Sequence, residues 1–204
     1  MNTISNFWNY FQQNNFVFIL LNEILKDELK FHFYILIEIL HQYNKDLELI
    51  IKNKTNGAEI IITANGNPYL FKEVELLVHH APVLKHWKIT AFLQPETNLT
   101  KYENGTEKPL DFYGISLRIS EMYFIPLENP NKPTDLGIKV LLKNYIIHKD
   151  NPRLREAVYV HLGFLMGEKA FANDITFIEI GQLVGNQKNT IALCYLHAYI
   201  LVKQ

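Results

Sequence analysis

Eight histidines and one cysteine are the side chains from which a metal site or a nucleophile would have to be assembled in this chain of 204 residues. His79 and His80 are adjacent, and His86 follows shortly after them. Neighbouring residues on a helix point about 100° apart, so His79 and His80 do not ordinarily share an ion. The chain has no His-x-x-x-His pair on a helix, no cysteine pair and no carboxylate at a zinc-ligand spacing. We therefore expect no metal and no cofactor, and read the histidines as an exposed helix end where cations favour the C-terminal dipole.

Cys194 and His197 lie three apart on a predicted helix, close enough to touch. A Cys-His nucleophile needs an accessible, electropositive pocket. Cys194 sits instead among Ile191, Leu193, Tyr195 and Leu196, which predicts an inert buried thiol. His161 falls on the apolar face of a predicted helix and reads as a half-buried, hydrogen-bonded histidine rather than a base. Asp111, Glu121, Asp135, Glu168, Asp174 and Glu179 are scattered, with no pairing as acid and base. Glu168 follows Gly167 at a predicted helix end, where a negative charge is mildly unfavourable and hints at a role. Phosphate loops and nucleophile elbows are absent. The residues left as candidates for a functional surface are Trp8, His79, His86 and Glu168, with none assigned as catalytic.

The elements that would position these residues follow from periodicity. Ser5 is a candidate cap for a short first helix carrying Phe7, Trp8 and Phe11. A longer helix is expected from about Asn22 to Tyr43, with Leu25, Leu29, Phe33, Leu36, Ile37 and Leu40 as its core stripe. Strands over Leu47–Lys52 and Glu59–Ala64 flank an Asn-Gly turn. Asn67-Pro68 then opens a helix, and Trp87–Leu93 forms the next strand. The order strand, strand, Asn-Pro helix, strand recurs from Ile115 to Ile180, where Asn151-Pro152 opens the second helix. The recurrence reads either as two pseudo-repeats, 47–95 and 115–180, or as the coincidence any α+β chain offers. With an N-terminal helical segment over 5–43 and an apolar C-terminal helix, the expectation is a single α+β domain over 1–204. It would be a two-layer sandwich of mainly antiparallel sheet and packed helices.

Composition narrows the partners. Hydrophobic residues make up 48% and charged residues 20%, as in ordinary globular chains. The net charge of −1 and three arginines give no basis for bulk nucleic-acid binding. The most apolar stretch, Phe16–Leu40, is broken by charges, so no membrane span is expected. With one cysteine and no signal-peptide pattern over Met1–Asn15, the expected setting is cytoplasmic.

Several of these residues resemble a family of uncharacterised bacterial proteins of similar length. The resemblance is carried by Phe7-Trp8-x-x-Phe11, Glu59–Ala64 with Gly66, Leu70-Phe71-x-x-Val74, Ala81-Pro82 and Trp87-x-x-x-Ala91-Phe92-x-x-Pro95, and resumes near Leu165–Glu168. It is specific over 59–95 and implies a mixed α/β fold without supplying an activity.

The function expected is that of a non-enzymatic intracellular module, binding another protein or itself through a sheet face or the aromatic N-terminus. In that reading Trp8 anchors the association, and Trp8→Ala leaves the monomer folded. The alternatives are a hydrolase-like enzyme with a pocket near His79, His86 and Glu168, and a regulator of RNA metabolism acting through protein contacts.

Overall fold

A computed structural model describes residues 3–19, 25–54, 57–112, 114–128, 136–185 and 187–203. The chain divides into two compact units, Met1–Leu93 and Gln94–Gln204, each with its own hydrophobic core.

In the first unit, helices α1 (Thr3–Ile19) and α2 (Lys26–Tyr43) precede strands β1 (Glu48–Lys54) and β2 (Gly57–Thr63). Helix α3 (Phe71–His79) then leads to β3 (Trp87–Ala91). β1 pairs antiparallel with β2 along its whole length, from Glu48 opposite Thr63 to Lys54 opposite Gly57. β3 joins the other side of β2 in parallel, a connection that needs a crossover, and α3 supplies it. The Asn67 side chain accepts a hydrogen bond from the Tyr69 amide at 3.1 Å, and Pro68 opens a 3₁₀ turn that runs into α3. The Asn-Pro pair thus starts a helical segment as its chemistry requires. Gly57 is demanded by the hairpin: its φ is +139°, and a Cβ there would stand 2.2 Å from the His86 carbonyl oxygen.

The register places Leu49, Ile51, Ile60, Ile62, Ile89 and Ala91 on one sheet face. That face packs against Phe7, Trp8, Phe11 and Phe18 of α1, Leu36 and Leu40 of α2, and Val74 and Leu77 of α3. All three helices therefore cover the same side, and the unit is two layers thick. The first helix is longer than its sequence suggests. It already runs at Thr3, so Ser5 lies inside it rather than capping it, because the apolar stripe that starts at Ile4 continues to Phe18. The expected start of α2 at Asn22 lies outside the described residues.

The second unit begins with a helical turn α4 (Thr100–Glu103) and a small hairpin of β4 (Leu110–Phe112) and β5 (Ile115–Leu117). β6 (Met122–Glu128) and β7 (Leu136–Leu142) form an antiparallel pair. Helices α5 (Tyr145–His148), α6 (Leu154–Met166) and α7 (Glu168–Asp174) cross over to β8 (Phe177–Gln182), which lies parallel to β7. β9 (Ile191–Ala192) pairs with β6, and α8 (Leu196–Lys203) closes the chain. The strand order is β8-β7-β6-β9, and α6 buries Leu154, Ala157, Val158, Leu162, Leu165 and Met166 in the core. Both units contain an antiparallel strand pair extended in parallel by a strand that follows a helical crossover. The sheets are small and mostly antiparallel, which makes this an α+β protein. No helix among the described residues is long and apolar enough to cross a membrane.

Candidate functional site

Trp8 is buried in the first core, not exposed on a surface. Its indole Nε1 donates to the Leu77 carbonyl at 2.8 Å, and its ring packs edge-on to Phe7 and Phe11. Removing it would open a cavity and strip Leu77 of a donor, so Trp8→Ala damages folding rather than association. The aromatic N-terminus is core because α1 lies across the sheet with its stripe inward.

His79 and His80 are exposed at the end of α3, their rings edge-to-face with centroids 5.5 Å apart. His80 Nδ1 donates to the Leu76 carbonyl at 2.8 Å, which occupies it at the helix end. His86 is exposed in a left-handed backbone conformation, and its carbonyl accepts from the Ala58 amide at 2.8 Å. Its contribution on view is to the backbone pairing of β2 with β3. Glu168 belongs to the second unit and is 2% exposed. It stands in the first turn of α7, the end at which a negative charge is favourable, because Gly167 at φ 79° ends α6 and lets α7 begin at once. The sign inferred from the sequence is therefore reversed.

His161 is fully buried rather than half-buried. Nδ1 lies 2.7 Å from the Ala157 carbonyl oxygen and Nε2 3.3 Å from that of Leu117, so the ring pins α6 to the end of β5. Cys194 is buried, and burial pushes its thiol up from the ordinary value, helped by the negative charges of Glu103 and Glu107. That is the reverse of what a nucleophile needs. Among the described residues, no three His, Cys, Asp or Glu side chains are grouped to hold a metal ion.

The feature that stands out is one the sequence reading assigned to the core. Of the stripe expected to bury α2, only Leu36 and Leu40 are fully enclosed. Leu25 is 77% exposed and Phe33 37%, and the neighbouring Phe31 and Tyr34 are 60% and 63% exposed. Of these, Phe33 and Tyr34 stand together at one place on the surface, and apolar groups gathered at a surface mark a contact site more often than scattered ones do. Between this part of α2 and β1 runs a groove of about 690 Å³. Leu29, Phe33, Tyr34 and Ile37 line it from the helix, and Leu49, Ile50 and Ile51 from the strand. β1 is one of the two outer strands of its sheet, β3 being the other, and no described strand pairs with its outer side. Its outward N–H and C=O groups are thus a template for another strand.

Charge at the groove is sparse and of both signs. Lys30 lines it from α2, with Asp27 3.8 Å away, and Glu48 lines it from β1. Glu48 lies 3.6 Å from His41 Nε2, too far for a hydrogen bond. The chemistry available here is recognition: main-chain hydrogen bonding along an edge, beside an aromatic wall.

The chain matches no protein-family model, no curated protein and no solved structure.

Proposed function

We propose that this chain is a non-enzymatic protein-binding or regulatory module that takes an extended segment along the free edge of β1, beside the aromatic side of α2. One observation carries the reading: an outer strand with no further strand beside it among the described residues, and the exposed Phe33 and Tyr34 of α2, form the two walls of one groove. Strand addition draws affinity from main-chain hydrogen bonds and specificity from alternate side chains. Phe33 and Tyr34 are the anchors in this scheme, since aromatic residues concentrate binding energy at interfaces. The single buried cysteine fits an intracellular setting. The residues that resemble the uncharacterised bacterial family, Glu59–Ala64, Leu70–Val74 and Trp87–Ala91, form β2, α3 and β3. In this reading they are the frame that holds the groove and not the groove itself.

A random-peptide display library panned on the full chain tests the proposal. The expected result is enrichment of peptides that alternate apolar and polar residues and raise the Tm of the chain. Phe33→Glu, checked for native circular dichroism, should weaken their binding at least about tenfold, about 1.4 kcal/mol. Failure to enrich any such peptide, or equal binding to the variant, counts against the groove as the functional surface.

A further inference from the structure

We infer that the segment this groove takes is β1 of a second copy of the chain, added antiparallel about a two-fold axis at Ile50. The inference rests on the binding-module reading and names its partner. Along β1 the outer edge reads Glu48-Leu49-Ile50-Ile51-Lys52, with Asp46 before it and Lys54 at its end. An edge defended against association commonly carries lysines or other charges that repel a second copy. Here the acids stand at one end of the strand and the lysines at the other.

That order is self-complementary in one orientation only. In an antiparallel pair centred on Ile50, Glu48 of each copy lies opposite Lys52 of the other, and Leu49 lies opposite Ile51. Ile50 meets its own counterpart, and Asp46 falls opposite Lys54. Both acids meet lysines, and Leu49, Ile50 and Ile51 meet aliphatic residues, while Leu47 falls opposite Asn53. Moving the centre to Leu49 sets Ile50 against Glu48, and moving it to Ile51 sets Ile50 against Lys52. A centre between two residues would put the helix-covered face of one copy beside the open face of the other. Parallel pairing in register sets like charges side by side, which is destabilising.

The remaining geometry agrees with this pairing. A two-fold axis perpendicular to the sheet keeps the helices of both copies on one side and makes the interface isologous. Leu49 and Ile51 of the second copy then extend the apolar face beside Phe33 and Tyr34, both partly exposed in the single chain. Glu48 is 45% exposed and makes no hydrogen bond to His41, so its carboxylate can turn to a lysine across the seam. Lys54 bonds Glu59 at 2.8 Å within the chain, and a contact with Asp46 would compete with that bond. The chain's net charge of −1 sets no long-range barrier to two copies meeting.

Sedimentation velocity on the full chain over a concentration series tests this, with circular dichroism to confirm that each variant is folded. The wild-type chain should form a dimer. Glu48→Lys and Lys52→Glu should each weaken it at least about tenfold, because two cross-strand pairs become repulsive in each variant. Mixing the two variants should restore a heterodimer, since the reversed charges then face opposite ones, and the double variant should dimerise again. A wild-type chain that stays monomeric throughout overturns the inference. So does a dimer indifferent to both reversals, which would associate through another surface. In either case the display peptides decide the parent reading separately: binding lost in Phe33→Glu keeps the groove as a docking site, and no such binding removes both.

Discussion

Glu59 shows how a single carboxylate can be held charged in a nearly closed place. It lies on the sheet face away from the helices, with Lys54 Nζ at 2.8 Å, Lys88 Nζ at 3.0 Å and the Thr90 hydroxyl donating at 2.7 Å. Burial pushes its carboxyl upward, but the hydrogen bonds from Lys54, Thr90 and Lys88 and the Lys88 charge prevail and hold it down at about 2. Because the folded value lies below the unfolded one, the native state gains stability above the ordinary carboxylate range and loses it as pH falls through the folded value. Glu59→Gln should therefore cost about 1–3 kcal/mol near neutral pH, with the difference from wild type shrinking below about pH 4.5 and vanishing near pH 2. Urea unfolding curves collected across that pH range measure it, and a constant difference at every pH would contradict the assignment. The acid was visible in the sequence, but its three donors were not. Lys88 and Thr90 reach it only because β3 docks parallel to β2 in one register.

Helix α2 is covered along part of the stripe that periodicity assigns to the core: Leu36 and Leu40 are buried, Leu29 and Ile37 pack against the core half-buried, and Leu25 and Phe33 are exposed. A stripe of Leu25, Leu29, Phe33, Leu36, Ile37 and Leu40 has the spacing of a core face. Spacing says which residues share a side of a helix, not how far the neighbouring sheet extends beneath it. The sheet stops at β1, so Leu36 and Leu40 are covered while Leu25 and Phe33 are left at the surface. Leu36→Ala should consequently destabilise the first unit by about 2–5 kcal/mol. Phe33→Glu, on the same stripe, should change the stability of the monomer by less than about 1 kcal/mol. Chemical denaturation of the two variants side by side distinguishes them, and equal costs would mean that Phe33 is core after all. One sequence signal did point to the surface. Phe31 and Tyr34 are large aromatics off the stripe, and a helix that is apolar on more than one side has more than one surface to satisfy.

At the scale of the whole molecule, two cores repeat one arrangement of strands with different neighbours. β2 has strands on both sides, and so does β7, whereas among the described residues β1 has a strand on one side. Hydrogen exchange should read this directly. The slowest amides should come from β2 and β7, while the outward amides of β1 exchange quickly in dilute chain and slow as concentration rises. Amides of β1 as protected as those of β2 in a monomeric sample would show that the edge is already covered. In each unit an Asn-Pro pair, Asn67-Pro68 or Asn151-Pro152, stands ahead of a crossover helix, and such pairs are local punctuation that a sequence displays. Among the described residues of the first unit no strand lies outside β1, while in the second β9 pairs with β6, a difference that depends on where distant chain comes to rest.

Local chemistry therefore decided the elements. Alternating aliphatic residues and the Asn-Pro openings prescribe strands and helices through interactions a few residues long, and these are readable without the fold. Fold class follows from their order. Burial is a different kind of quantity, because it depends on what arrives from elsewhere in the chain. Trp8 became core when α1 was laid across the sheet with Leu77 beneath its indole, and Glu168 became the start of α7 when Gly167 turned the backbone. Phe33 and Tyr34 became the wall of a groove when the sheet ended at β1. The sequence by itself determined which apolar and charged side chains each element carries; only the tertiary structure decided which of them were left uncovered, because exposure is set by long-range packing and not by spacing.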